Sequence, residues 1–148
     1  MNAAHLHLMF NHLSLVGMGF AVLINLLAIF GKSVDIRKLS CWFYILVGLL
    51  AILPVATGDG AGEIIKSMPG VSNDAIEYHE TWGYLFFYGV MAVGVLAIAA
   101  LWFSRANEGV LKKFNLAMLL LAIVVFVFAF QTGTTGGKIR HSEIQLQH

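Results

Sequence analysis

The sequence predicts an all-α fold, a four-helix transmembrane bundle running up-down-up-down as one membrane domain over residues 1–148. Three observations carry this. Of 148 residues, 59% are hydrophobic and only 11% charged, whereas a water-soluble domain carries about 25% charged residues. Four apolar stretches reach the roughly 20 residues that a membrane span needs. Within a bilayer the backbone must satisfy its own hydrogen bonds, so such stretches are helices rather than open strands.

The first stretch, residues 8–30, contains "LSLVGMGFAVLINLLAIF". No basic residue precedes it and Lys32 follows it, the reverse of a cleaved signal peptide. Asn25, deep inside it, is expected to hydrogen-bond to a neighbouring helix. The second stretch, residues 39–57, begins beside Cys41. That lone cysteine excludes an internal disulfide and reads as a buried thiol. It runs into "PVATGDGAGE", where Pro54 and the glycines are expected to end the helix and turn the chain over the bundle. The third stretch, residues 78–103, is led by "SNDAIEYHE", in which Ser72 or Asn73 is placed to cap a helix. The fourth covers residues 114–131. Its "VVFVFAF" run suits packing or lipid contact, and "QTGTTGGKIRH" after it is expected to fold back across the mouth.

Charge assigns the orientation. The two short connections hold Lys32, Arg37, Lys38, Arg105, Lys112 and Lys113 against Asp35 and Glu108. The other face holds Lys66, Lys138 and Arg140 against Asp59, Glu63, Asp74, Glu77, Glu80 and Glu143. Basic loops stay in the cytoplasm, so both termini are expected on the outer side. Trp42 and Trp102 then mark the inner interface and Trp82 the outer one. A net charge of +1 suggests no nucleic-acid partner.

All six histidines map to the outer side. His5, His7 and His12 lead into the first helix, His79 opens the third, and His141 and His148 follow the fourth. His148 ends the chain and reads as a plain surface residue. His5 and His12, seven apart, share one helical face with Gly19, while His7 points elsewhere. His79 is followed on its own face by Gly83 and Phe86. A histidine with a glycine one turn deeper leaves room for a flat group such as haem, which axial histidines of facing helices hold in a bundle core. The first and third helices are diagonal neighbours, so His12 and His79 are expected to face one iron. Thr57, Thr132, Thr134 and Thr135 are available to bond a carboxylate or an imidazole N–H.

The stretches "HLMFNHLSLVG", "ATGDGAGEI", "IEYHETWGYL" and "QTGTTGGKIRH" resemble, in order, four motifs of a family of small bacterial four-helix membrane proteins of unknown function. That family's first motif is similar to His-Pro-x-x-x-His-Phe-Pro, and some members are linked to cytochrome c modules. Here Leu8 and Ser14 stand in place of the prolines and Leu13 in place of the phenylalanine. The resemblance implies a b-type haem or an electron-transfer role, with His7 and His12 matching the first motif, His79 the third and His141 the last. Four matching histidines allow two haems, His12 with His79 and His7 with His141. One haem with two supporting histidines fits equally.

The leading expectation is therefore a b-type cytochrome or cytochrome-like subunit of the bacterial cytoplasmic membrane. It would exchange electrons with quinol or a periplasmic carrier. The alternatives are a non-haem copper, zinc or iron site and a structural subunit of a larger complex or homo-oligomer. The metal site would be built from His5, His12, His79 and His141 with Glu80, Glu63 or Asp59. No serine or cysteine stands in a hydrolase setting.

Overall fold

The computed structural model describes residues 2–140 as four long helices: α1 (Ala3–Phe30), α2 (Val34–Lys66), α3 (Asn73–Phe103) and α4 (Val110–Arg140). Each is long and apolar enough to cross a membrane, so the chain is a multi-pass membrane protein. The connections, residues 31–33, 67–72 and 104–109, are short. Short connections fold each helix back along the one before it. The start of α1 consequently lies beside the end of α2, where His7 meets Pro54. Likewise the start of α3 lies beside the end of α4, where His79 meets Thr135.

The helices begin and end for local reasons. Asn2 caps α1 by accepting from the His5 amide, and Ser33 caps α2 by accepting from the Ile36 amide. Ser72 is the N-cap of α3, without a side-chain bond of its own. Gly70 supplies the only positive φ among the described residues, 82°, in the turn between α2 and α3. Arg37 closes the far end of α1: its guanidinium donates to the carbonyls of Ala28 and Gly31. That places a cation on otherwise unpaired C-terminal carbonyls, the arrangement the helix dipole favours.

The helices outrun the apolar stretches. Residues 58–66 and 132–140, expected as turns, are helical and extend α2 and α4. Pro54 lacks an N–H and so leaves one turn of α2 short of a bond, yet the helix continues for three more turns. The glycines of both segments do not bend the chain. Gly58, Gly60, Gly62 and Gly136 thin the helix surfaces where side chains of other helices press in.

Packing runs α1–α2–α3–α4, with α1 meeting α4 more sparsely, α2 and α4 approaching across one diagonal, and α1 and α3 apart on the other. The core is a column of Met18, Tyr44, Val47, Val90, Val93, Met118 and Val125 with alanines between them. Close approach is made at Gly89 and Gly17. A Cβ on Gly89 would lie 2.7 Å from the Val125 side chain, and one on Gly17 3.2 Å from that of Val47. Small residues at such crossings are what membrane helices use to pack, since lipid offers no hydrophobic drive between them. Asn25, fully buried as expected, donates to the Tyr44 hydroxyl and to the Asn115 carbonyl, both at 3.1 Å. Cys41 is buried and free.

Candidate functional site

At the end of the bundle where α1 and α3 begin, a cavity of about 380 Å³ opens between all four helices. This is within the size range of small-molecule and cofactor sites. His7 and His79 enter it from opposite sides of the wide diagonal. Their ring centres are 6.3 Å apart and the ring planes stand at 82°.

Each ring is held by the same one of its two nitrogens. His7 Nδ1 lies 2.9 Å from the Pro54 carbonyl. A carbonyl only accepts, so Nδ1 carries the hydrogen and, in the neutral ring, Nε2 keeps the lone pair. His79 Nδ1 lies 3.1 Å from Thr135 Oγ1. That hydroxyl already donates its hydrogen to the Gln131 carbonyl at 2.8 Å. It can only accept from His79, so Nδ1–H is again the donor and Nε2 is again left with its lone pair. An imidazole that donates Nδ1–H to a protein acceptor is oriented and made more basic at Nε2, which is how proteins prepare a metal ligand.

Glycine makes the room. Six glycines line the cavity: Gly58, Gly62, Gly83, Gly133, Gly136 and Gly137. The His79 ring lies against Gly136, where an added Cβ would come within 2.9 Å of Cε1. The His7 ring lies over Gly58, where a Cβ would sit 3.7 Å from Cε1. At Gly83, Gly133 and Gly137 a Cβ would find no atom within 4 Å, so these three leave bare backbone facing open space. Gly83 and Phe86 share the face of α3 that carries His79 and line the cavity with it, as their spacing predicts.

The pairing differs from the expected one. His7, not His12, meets His79. His12 is exposed and only borders the cavity, and Gly19 does not line it. The buried face of α1 is Ser14, Met18, Ala21, Asn25 and Ala28, a stripe of small and polar residues. Continued outward by seven residues from Ser14, it reaches His7. The stripe through His5, His12 and Gly19 lies off this line. His5 is exposed, and His141 lies outside the described residues. Of the two groups that orient the rings, Thr135 is one of the four threonines expected to bond an imidazole N–H, and the Pro54 carbonyl is the missed partner. A carbonyl partner carries no sequence signal.

Among the described residues, no group of three or more His, Cys, Asp or Glu side chains converges where a metal ion is held. The non-haem constellation of His5, His12 and His79 with Glu80, Glu63 or Asp59 is therefore not assembled there. Glu80 does line the cavity, with its carboxylate 3.5 Å from where a Gly62 Cβ would be. Comparison with models of known protein families, with curated proteins and with solved structures gives no match, so the reading of this site rests on its geometry.

Proposed function

We propose that the protein is a membrane b-type cytochrome or cytochrome-like subunit that holds one haem between His7 and His79. The observation that carries this reading is the pair of imidazoles 6.3 Å apart across the cavity, each bonded to the protein through Nδ1. The residues present suit that group. A metal–imidazole bond is about 2.0–2.1 Å, so rings on opposite sides of one metal have centres about 6 Å apart, close to the 6.3 Å here. A bis-histidine haem takes two protein ligands, whereas a bare zinc, copper or iron ion is commonly held by three or four. The glycine-lined space beside both rings suits a flat ring system rather than a single ion.

Bound haem supplies one-electron chemistry at the outer end of the bundle, where quinol or a periplasmic carrier is the exchange partner. The chain's own residues do the rest. Pro54 and Thr135 fix the imidazole orientations, Gly136 and Gly58 let the rings approach their helices, and the largely apolar walls suit a flat apolar ring system. By the distribution of basic residues, both termini lie on the periplasmic side of the bacterial cytoplasmic membrane. His7 lies 23 residues before the end of α1, about 35 Å along a helix. The described histidines, His5, His7, His12 and His79, all lie towards the same end, so they alone would not carry electrons to the opposite face.

Visible spectra of single variants test the assignment. Protein purified from cells supplied with haem is expected to show a Soret band and, after dithionite, a reduced α-band. His7→Ala and His79→Ala should each lose or change that spectrum, while His12→Ala should keep it. A spectrum lost in His12→Ala and retained in His7→Ala would reverse the assignment.

A further inference from the structure

A second concavity lies at the opposite end of the bundle, in a groove of about 930 Å³ between α2 and α3. Its polarity is graded along the helix axes. Lys38 and Arg105 stand at its outer rim, and Ile45 and Ile98 line it seven residues deeper, about 10 Å further into the bilayer. Between these levels stand Trp42 and Trp102. They are 60% and 65% exposed, so their indoles face the membrane rather than the bundle core. An indole has an apolar body and a polar N–H, and it settles at the depth of lipid headgroups.

Both cations are held in place. Lys38 Nζ pairs with Glu108 Oε1 at 2.9 Å, and the Arg105 guanidinium lies 5.1 Å from the centre of the Trp102 ring. The ring contact pre-orients Arg105 and lowers the ordering cost a ligand would meet there, whereas Glu108 competes with a ligand for Lys38. Two cations against Glu108, the one acid lining the groove, leave a single uncompensated positive charge. A zwitterionic phospholipid offers the same phosphodiester but no net charge, so it gains nothing from the uncompensated positive charge. A phospholipid with a net charge of −1 meets the groove's charge.

We propose that this groove binds one anionic phospholipid, with its phosphodiester at Lys38 and Arg105 and an acyl chain along Ile45 and Ile98. Basic pockets between membrane helices are a recognised means of holding acidic lipids. The site is independent of the haem reading, and neither depends on the other.

The test uses the full chain in nanodiscs of phosphatidylglycerol and phosphatidylcholine in equal amounts, released into native mass spectrometry. One phosphatidylglycerol per chain should survive activation that strips phosphatidylcholine. Lys38→Gln with Arg105→Gln should weaken this retention about thirty-fold, from the contribution of two basic residues. Glu108→Gln removes the competing carboxylate and should strengthen it several-fold, a gain that misfolding would not produce. Lys112→Gln with Lys113→Gln removes the same charge outside the groove and should leave retention unchanged. Quenching of tryptophan fluorescence should be stronger with brominated phosphatidylglycerol than with brominated phosphatidylcholine. Equal retention or equal quenching by the two lipids would overturn the proposal. So would an equal loss in the Lys112 and Lys113 variant, which would mean diffuse attraction to the basic face.

Discussion

Which nitrogen of each imidazole the protein engages is the informative detail. In His7 and His79 the protein engages Nδ1 through Pro54 and Thr135, which makes Nε2 the nitrogen offered to a metal. Substituting the acceptor should therefore act on the metal without touching a ligand. Thr135→Val keeps the shape and removes the acceptor; it should weaken haem retention 10- to 100-fold and shift the midpoint potential, whereas Thr135→Ser should restore both. Potentiometric titration of the two variants checks this. Gly136→Ala places a methyl within 2.9 Å of the His79 ring. The ring is tied to Thr135 and cannot swing freely, so this variant should lose the native spectrum while Gly58→Ala, with 3.7 Å of clearance, retains it. The histidines were legible in the sequence as a group on one side. Which of the first three faces inward was not, because Asn11 is the one other polar residue between them and does not by itself set the helix rotation. The small and polar stripe of Ser14, Ala21 and Asn25 carries that information instead.

At the scale of the helix, the apolar stretches located all four elements but undershot their ends. Residues such as Gly58, Gly60 and Gly62 look like a turn when read alone, yet they continue α2 with side chains of α1 and α3 packed against them. Glycine at these three positions records a close neighbour rather than a bend. The Gly89 contact with Val125 shows the same logic in the core. Gly89→Ala should destabilise the bundle by about 1–3 kcal/mol through overpacking, since a valine in a helix has one favoured rotamer and little freedom to yield. Val125→Ala in the same chain should recover much of the loss, as measured by unfolding in detergent micelles. Asn25→Leu removes two hydrogen bonds to neighbouring helices and should cost about 1–2 kcal/mol in the same assay.

For the whole molecule, the bundle separates two chemistries by its length. Imidazoles and glycines gather around a cavity at one end, while cations and exposed tryptophans gather at the other. The cavity sits on the wide diagonal between α1 and α3, where only long side chains span the gap. The sequence could name that diagonal from the order of short loops. It could not show that the gap is only wide enough for one imidazole pair, since this depends on how closely α2 and α4 approach. Both termini should be reached by a membrane-impermeant reagent on the same face of the membrane, and residue 107 on the other, when single cysteines are placed there in a Cys41→Ser background. The most direct measurement of the central claim is haem content per chain, by pyridine haemochrome assay on the purified wild-type protein beside a reduced-minus-oxidised spectrum. The account predicts one b-type haem per chain with both axial positions filled by histidine. Protein that carries no haem after expression with ample supply, or that carries two, would contradict it.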